Sequence, residues 1–537
     1  MNREPHPVRR ATFWLFALMC CLGVQAADPP RSLIDPTKAD LRRGETLSKQ
    51  YCATCHLWPS PEIFPKGVWG DNVLPWMMMY LGLRDATGTN SNFGASAALI
   101  KEKGLFPKEP LIQPDDWQQI VSYYLLTAPE YPTLIPNIAK TDGKTPFRIG
   151  FRLPQLPGPY SSMARIVEED RAIQIGDTGA ERIAVLDQTG KTLRNFAHTS
   201  KPVNVFADQD SRLVVDIGSY LPTEHATGRI LRVTPEGKPL ETLLDKLQRP
   251  ISAIPADFNG DGRTDLVVSQ FGWVGGKLSW FEATEDGLKE HVLLEKPGAS
   301  HLQVRDLNRD GHLDIAVLVA QALDSILFYL NDGKGNFDLH PAYQQHPAFG
   351  LSWFEFLDFD GDGIRDLLTV NGDVDNGGPP RAYHGIRIHR GTATNTFTEI
   401  LKLDLPGAYK AHARDFDGDG DLDLIAIAFN PQFNSHPDLG AVYFENMGGT
   451  KFQTHRLPIG GDTRWLTMDS GDIDGDGDED VILGGCWLGP GLQDSIPRGL
   501  QKKWAQYPLS ICFLENTSKQ SRRPTVKHPL FAHRMLP

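Results

Sequence analysis

Long apolar runs are nearly absent from this chain of 537 residues. The one clear run is "ATFWLFALMCCLGV" at residues 11–24, which follows Arg9 and Arg10 and precedes "VQA". The run is too short to cross a bilayer comfortably. A basic N-terminal region, a short apolar core and small residues before the cleavage site are typical of a secretory signal peptide. We expect cleavage after Ala26, with an uncleaved anchor as the alternative, and an exported location, periplasmic or outside a bacterial cell. No other segment is predicted to cross a membrane.

Basic residues are also scarce. Lys and Arg number 54 against 67 Asp and Glu, which gives a formal net charge of −13. Nucleic acid and anionic membranes repel such a chain, so neither is expected as the main partner. A nucleotide-binding fingerprint is missing as well.

Cysteine is the third scarcity, with six in the chain. Cys20 and Cys21 lie in the signal segment and lack the small preceding residue of a lipoprotein signal. Cys486 and Cys512 are candidates for a disulfide in an exported protein, and the sequence leaves the bonded and the free state open. The last two cysteines belong to the stretch "KQYCATCHLWPS" at residues 49–60.

That stretch contains Cys-x-x-Cys-His, formed by Cys52, Cys55 and His56. Two thiols on one helical turn can add to the two vinyl groups of a porphyrin, and the next imidazole then lies beneath the iron. A zinc or redox Cys-x-x-Cys would leave the adjacent histidine unexplained, and no second cysteine pair is nearby. The motif predicts one covalently bound c-type haem.

The flanking segments resemble a small cytochrome c over residues 35–130. In "KADLRRGETLSKQY", Leu41, Gly44 and Leu47 share a helical face. A second predicted helix, "QPDDWQQIVSYYLLTAPE", has an acidic start, an apolar stripe and a proline stop at Pro129. It is similar to the closing helix that packs across the opening helix in cytochromes c, which implies an all-α haem domain.

The sixth iron ligand is sought in "VLPWMMMYLG", because no second histidine occurs before His198. Met77 is the choice, since methionines that ligate c-type haem often stand beside a proline in a loop, and Pro75 is close. Met78 and Met79 stay open as alternatives, with core packing as the other use of these thioethers. His/Met ligation suits electron transfer, whereas an open iron would suit a peroxidase.

The rest of the chain repeats. Acidic stretches of the form "DFDGDGDLDLIA" start at residues 257, 306, 358, 415 and 472, each followed by short β-like runs. A period near 50 residues with several strands per unit predicts propeller blades. Two degenerate units, at Glu169 and Asp208, bring the count to seven. Residues 158–537 are therefore predicted to form a seven-bladed propeller, with six or eight blades as alternatives and residues 131–157 as a linker.

Each acidic stretch also predicts a cation site. Carboxylates at positions 1, 3, 5 and 9 and a carbonyl at position 7 can converge on a hard cation such as calcium, and glycine at position 6 permits the turn. Asparagine at position 3 should weaken the first two sites. The predicted ligands of these five sites are Asp257, Asn259, Asp261, Asp265, Asp306, Asn308, Asp310, Asp314, Asp358, Asp360, Asp362, Asp366, Asp415, Asp417, Asp419, Asp423, Asp472, Asp474, Asp476 and Asp480.

With these loops the array resembles the FG-GAP/VCBS repeats of integrin-type propellers. The resemblance implies structural calcium in loops that join the first and second strands of each blade. The whole chain is thus expected to be multidomain, with a small all-α cytochrome c domain followed by an all-β propeller.

A candidate site follows from aligning the blades on the first loop Asp. Residues three and five positions earlier share one strand face, which should be nearest the propeller axis. This face is predicted to carry His301, Gln303, Glu355, Lys410, His412 and Asp469. Of these, His301, Glu355, His412 and Asp469 are weak catalytic candidates for acid–base work or metal binding, while a merely wet and polar channel is the alternative.

Long Gly- and Pro-rich insertions between the second and third strands form a second candidate surface. They include Tyr383, Phe433 and Trp487, which could clasp a ligand or seat the haem domain; variable decoration is the alternative.

Three functions follow. The first is an exported electron-transfer protein that meets a redox partner protein or a small-molecule donor or acceptor, with the propeller as docking platform. The second is a haem-coupled oxidoreductase whose substrate site lies in the channel or rim, although the vicinal cysteines of quinoprotein dehydrogenases are missing from the mature chain. The third is an adhesion or glycan-binding propeller, which the unequal rim insertions disfavour.

Overall fold

The computed structural model describes residues 39–85, 93–135, 138, 141, 143–154, 159–197, 201–321, 323–373, 380–487 and 496–519. The predicted signal peptide lies outside these residues. Two compact units are present, one made of the chain up to Tyr51 with Ser60–Pro132, and the other of Cys52–Pro59 with the chain from Thr133 onward. No helix of the described residues is long and apolar enough to cross a membrane.

The first unit is helical. Its helices are α1 (Leu41–Cys52), α2 (Lys66–Val68), α3 (Leu74–Tyr80), α4 (Ala97–Lys103) and α5 (Pro114–Thr127), with a π-helical turn at Trp69–Val73 and 3₁₀ turns at Pro61–Ile63 and Gly94–Ser96. Helix α5 begins with proline and two aspartates, which suit a helix start. The predicted apolar stripe of α5 is confirmed, since Trp117, Ile120 and Tyr124 are all buried.

Helix α1 crosses α5 at Gly44. A Cβ atom placed on Gly44 would lie 2.4 Å from the Gln119 carbonyl oxygen and 2.7 Å from the Tyr123 Cβ, so only glycine permits this approach. An ion pair between Arg43 and Asp116 at 2.5 Å flanks the crossing. The predicted face of α1 is only partly right, because Leu41 is exposed and Gly44 and Ser48 are the buried residues.

The second unit contains seven four-stranded antiparallel sheets, which confirms the predicted seven blades. The strand β1 (Phe147–Pro154) comes first in the chain. Blades one to three are β2–β5 (Ser161–Val167, Ala172–Asp177, Arg182–Leu186, Thr192–Ala197), β6–β9 (Pro202–Asp208, Ser211–Asp216, Gly228–Val233, Pro239–Leu247) and β10–β13 (Pro250–Ala256, Asp265–Gln270, Lys277–Thr284, Gly287–Leu294).

Blades four to six are β14–β17 (Ala299–Arg305, Asp314–Val319, Ser325–Asn331, Phe337–Gln344), β18–β21 (Leu351–Leu357, Asp366–Asn371, Gly385–Gly391, Phe397–Asp404) and β22–β25 (Ala408–Arg414, Asp423–Ala428, Ala441–Asn446, Phe452–Arg456). The last blade contains β26 (Trp465–Gly471), β27 (Asp480–Gly485), β28 (Leu509–Asn516) and, as its outer strand, β1. Helix α6 (Arg498–Gln506) lies between β27 and β28, and 3₁₀ turns occupy Pro347–Phe349 and Pro437–Gly440.

The placement of β1 corrects the predicted linker at residues 131–157. Strand β1 pairs with β28, and Phe151 stacks on Phe513 with ring centroids 5.2 Å apart. Strand β1, from the N-terminal end of the unit, therefore completes the blade whose other three strands come from the C-terminal end, which closes the ring and gives β28 a paired neighbour on its outer side. The alternating apolar residues in "FRIGFRLP" are typical of a β-strand, but the glycine and proline among them make the strand pattern hard to recognise from the sequence.

Burial follows strand position within each blade. All six residues of each second strand in the acidic-loop blades are buried, because neighbouring blades cover both faces of the sheet. First strands of adjacent blades contact one another and line the propeller axis.

Candidate functional site

The Cys-x-x-Cys-His motif lies where α1 ends. Cys52 is the last residue of the helix and Cys55 is exposed in the following turn. The Nδ1 atom of His56 lies 2.8 Å from the Leu57 carbonyl oxygen. A carbonyl can only accept, so this contact places the proton on Nδ1 and leaves Nε2 with a lone pair for a metal.

The three candidate methionines lie in α3, a helix, and not in the predicted loop. Because successive helical side chains diverge by about 100°, the three thioethers point in different directions. Met79 is buried in the core of the first unit, whereas Met77 and Met78 are partly exposed. Met77 therefore stays available as a ligand, and Met79 serves packing.

The acidic loops join first to second strands, as predicted. Position 1 aspartates order the turns: the Asp472 carboxylate accepts hydrogen bonds from the backbone N–H groups of Gly475 at 2.7 Å and Gly477 at 2.9 Å. Gly477 has φ 90°, which only glycine adopts readily. The same pattern recurs at Asp257 with Gly260 and Gly262.

Three of the five loops gather carboxylate oxygens within 4.8 Å of one another. These groups are Asp358, Asp360 and Asp366; Asp415, Asp417 and Asp419; and Asp472, Asp474 and Asp476. The first two loops do not form such a group in the described residues. In the first loop Arg263 pairs with Asp261 at 2.8 Å, and in both loops the asparagine amide donates to the position 5 carboxylate.

The position 9 aspartates connect each acidic loop to the strands of its own blade through hydrogen bonds. Asp265, Asp314, Asp366 and Asp423 are buried, and each accepts backbone N–H groups from both the loop and the third strand or the turn after it. In the last blade, Asp480 accepts the N–H of Asn516 at 2.8 Å.

Three buried carboxylate oxygens in these loops lack a hydrogen-bond donor within the described part of the chain: Asp358 Oδ1, Asp421 Oδ1 and Asp480 Oδ2. Burial raises the pKa of Asp480 to about 7, which means that its charge is poorly compensated by protein groups alone. A cation would supply that compensation, so the loop residues fit a hard divalent ion.

The structure brings several residues of the predicted axial face together. Leu302, Phe354 and Ala411, on the opposite face of the first strands, are buried between blades. Trp353 is the centre of this cluster: His301 stacks on it with ring centroids 3.8 Å apart, and the Lys410 Nζ lies 4.0 Å from its centroid. The Lys410 ammonium also donates to the Met468 carbonyl at 2.7 Å.

Arg414 pairs with two carboxylates at this cluster. Arg414 binds Glu355 at 2.5 Å and Glu479 at 3.1 Å. Burial opposes the charge on Arg414, but the two carboxylates outweigh it and raise the pKa of that guanidinium. Asp469 accepts the backbone N–H of Ile166 at 2.9 Å, which links the last blade to the first.

His301 lacks acid–base character at physiological pH. Burial, together with the nearby Lys410 ammonium, lowers the pKa of His301 to about 3, so its imidazole stays neutral at physiological pH. The His412 Nδ1 atom lies 3.2 Å from the Ser470 hydroxyl oxygen and 3.5 Å from a guanidinium nitrogen of Arg414. None of the four catalytic candidates joins a group of metal-ligating atoms among the described residues. The arrangement ties blades together and does not present an open reactive group.

Two residues escaped the sequence prediction. Arg414 stands one position before the first loop Asp, on the same strand face as positions three and five before it, and extending the alignment by one step would have found it. His346 lies in the connection from β17 to β18 and carries no repeat signal.

The rim insertions are only partly irregular. The insertion of the last blade contains α6, whose Trp504 packs on Trp487 and Phe433 with ring centroids 6.0 and 5.8 Å apart. Tyr383 stacks on Phe349 at 4.6 Å. These aromatic residues serve packing of the insertions onto the blades.

Cys486 and Cys512 are both buried, and no disulfide joins them. Cys512 is paired directly with Leu483 of β27, and directly paired residues share one face of the sheet. Cys486 follows Leu483 by three residues, an odd number, so its side chain points to the opposite face from Cys512. The disulfide considered from the sequence therefore does not form.

The family model for the FG-GAP-like repeat matches residues 257–317, 306–369 and 415–483. No curated protein matches the chain. Among solved structures, a streptogramin B lyase is 14% identical with a TM-score of 0.43, covering 68% of this chain and 96% of that one.

Two further solved structures are 11% identical with a TM-score of 0.39. One is from S. cerevisiae, dbp5 l327v bound to nup159, gle1 h337r, ip6 and adp, and covers 68% of this chain and 95% of that one. The other is BBS1N in complex with ARL6DN, which covers 69% of this chain and 97% of that one. The blades and the matched model together show that the chain carries FG-GAP-like repeats on a seven-bladed propeller scaffold.

Proposed function

We propose that this protein is an exported c-type cytochrome that transfers electrons through one covalent haem, with the propeller as its docking platform. The observation that carries the proposal is the position of Cys52, Cys55 and His56 at the end of α1, a helix that crosses α5 at Gly44 without an intervening side chain. A closing helix packed across the helix that bears the haem motif is the arrangement that the resemblance to cytochromes c implies.

The residues of the motif would have separate roles in haem attachment and iron ligation. The Cys52 and Cys55 thiols would form the two thioether bonds, and His56 would ligate iron through Nε2, because its Nδ1 is held by the Leu57 carbonyl. Haem supplies one-electron chemistry, and a methionine sixth ligand, here Met77, would favour the reduced state. The redox partner is a protein or a small-molecule donor or acceptor.

A gel and a spectrum test haem attachment. The protein is expressed in a host that attaches c-type haem, denatured, stained for haem on a gel and measured as its pyridine complex. We expect covalent haem in the wild type and none in Cys52→Ser/Cys55→Ser, while Cys486→Ser/Cys512→Ser serves as the matched thiol control and keeps it. An unstained wild-type band would sink the proposal.

Ligand identity is tested separately with Met77→Leu, Met78→Leu and Met79→Leu. Met77→Leu alone should abolish the methionine-to-iron absorption and admit carbon monoxide to the reduced haem. If Met78→Leu does so instead, the assignment moves to that residue, and rapid carbon monoxide binding by the wild type would mean an open iron.

We further propose that the acidic loops bind structural calcium, most strongly in the three blades whose carboxylates cluster. The buried oxygens of Asp358, Asp421 and Asp480 that lack a donor support this, since a cation bound in each of these three loops would satisfy them. An ion present at about 100 times its dissociation constant stabilises the folded state by about 2.7 kcal/mol.

Calcium titration of matched variants tests this second proposal. Asp472→Asn alters a clustered loop, and Asp257→Asn makes the same change at position 1 of an unclustered loop. We expect the first to remove one tight site and lower the melting temperature in calcium, and the second to change tight binding little. Equal melting with calcium and with chelator would contradict a structural role.

A further inference from the structure

His346 of the propeller lies against the proposed iron ligand. The segment Cys52–Pro59 groups with the second unit, and within that unit the rings of His56 and His346 pack edge to face, with centroids 5.5 Å apart and planes at 83°. His346 precedes the 3₁₀ turn Pro347–Phe349 in the connection between β17 and β18.

A rigid connection holds the His346 ring. Its Nδ1 accepts the backbone N–H of Ala348 at 3.0 Å, which caps the short turn. The turn ends at Gly350, whose N–H donates to the buried Asp324 at 2.9 Å. Phe349 stacks on Tyr383 behind it. The position of His346 is therefore set by the propeller.

The contact with Ala348 also fixes the tautomer. An Nδ1 that accepts a hydrogen bond has no proton, so the neutral ring carries its proton on Nε2. That Nε2 atom is buried and has no hydrogen-bond partner among the residues that the structure describes. Buried donors are normally paired, so an acceptor is expected beside this Nε2 atom that the described residues do not provide.

We propose that the Nε2–H group of His346 donates a hydrogen bond to a carboxylate of the haem, which makes His346 a positioning residue for that group and for the His56 ring. This inference rests on the proposed function. Haem carries two propionate carboxylates, which are strong acceptors for a charge-neutral N–H donor. His346 is not an iron ligand here, because its Nε2 would have to lose its proton to bind a metal.

A donor to a haem carboxylate disperses negative charge near the iron and so favours the reduced state. Removing it should lower the midpoint potential while the haem stays attached. We expect about a threefold change in the one-electron equilibrium constant, or about 30 mV at 59 mV per tenfold change.

Two variants of full-length, calcium-loaded holoprotein separate the roles of the ring. His346→Phe keeps the aromatic contact with His56 and removes the donor, whereas His346→Asn keeps an acceptor for the Ala348 N–H and removes the ring. His340→Phe, at an exposed position of neighbouring β17, is the matched control. Midpoint potentials and oxidised and reduced spectra are measured for all four proteins.

The proposal predicts a lower potential for both His346 variants, an unchanged potential for His340→Phe and an unchanged low-spin spectrum throughout. Wild-type potentials in both His346 variants would overturn it. Conversion of the variants to a high-spin, carbon monoxide-binding iron would also overturn it, since His346 would then be a ligand. Absence of covalent haem from the wild type is a different result, which defeats the proposed function itself.

Discussion

At the scale of single residues, charge pairing explains what the channel cluster does. Arg414 joins Glu355 of the blade before it to Glu479, which stands at position 8 of the acidic loop in the blade after it. Such a group is costly to separate, because each remaining partner stays buried with an uncompensated charge. Composition alone suggested acid–base chemistry here; the contacts indicate cohesion between blades.

Removing Arg414 alone should cost more than removing it together with the charges of both glutamates. We expect Arg414→Met to lower the free energy of unfolding by about 3 kcal/mol, and Arg414→Met with Glu355→Gln and Glu479→Gln to lower it by clearly less. Urea unfolding followed by tryptophan fluorescence measures both. A triple variant as unstable as the sum of the three single variants would show that the three charges are not coupled.

His384 provides a pH prediction. It is buried, and its Nδ1 accepts the N–H groups of Arg381 at 3.1 Å and Gly407 at 3.3 Å. Burial, with help from the Arg381 guanidinium, lowers the pKa of His384 to about 3. An unfolded histidine takes up a proton below about pH 6.5, whereas the folded one does so only near 3, so stability is present above 6.5 and is lost as the pH falls.

The matched variant is His384→Asn, whose side-chain oxygen can accept the same N–H groups without titrating. Between pH 7 and 5 we expect the wild type to lose about 2 kcal/mol more unfolding free energy than the variant, at about 1.4 kcal/mol per pH unit. Parallel pH profiles of the two proteins would refute this role for His384.

At the scale of elements, the crossing of α1 and α5 depends on the absence of a side chain. Gly44 has Gln119 and Tyr123 of the facing helix within 3 Å of a Cβ position, whereas a Cβ on Gly67 would meet only the Asp71 carboxylate at 3.8 Å. The two helical glycines are thus a matched pair, one required by packing and one not.

Gly44→Ala should destabilise the first unit by about 2 kcal/mol, because the helices must separate to admit the methyl group. Gly67→Ala should be neutral or stabilising by up to about 1 kcal/mol, since alanine is the better helix former. Thermal unfolding followed by far-ultraviolet circular dichroism compares them, and equal melting temperatures would argue against a close crossing.

At the scale of the whole molecule, ring closure of the propeller depends on β1. Phe151 of β1 packs on Phe513 and on the core between the first and last blades. Strand β1 is the outermost strand of this blade, so its loss would leave β28 with an unpaired edge.

Phe151→Ala should loosen this blade and accelerate amide hydrogen exchange in Leu509–Asn516, with a loss of about 2–3 kcal/mol in local stability. Leu193→Ala, at an exposed position of the outer strand β5, is the control and should leave exchange unchanged. If β28 exchanges at the same rate in both variants, β1 does not close the ring.

The sequence by itself determined the features that repeat or carry a strict pattern. Five acidic loops in register indicated the blades and their order, whereas the haem site predicted from Cys52, Cys55 and His56 stays a prediction. Period-two and period-3.6 patterns are local, so α5 and the buried second strands could be read from neighbouring residues.

Only the tertiary structure decided which distant residues meet. The pairing of β1 with β28, the ion pairs of Arg414 and the contact of His346 with His56 all join residues far apart in the chain. No local pattern encodes such contacts, because they depend on how blades close around an axis and on which face each side chain then presents.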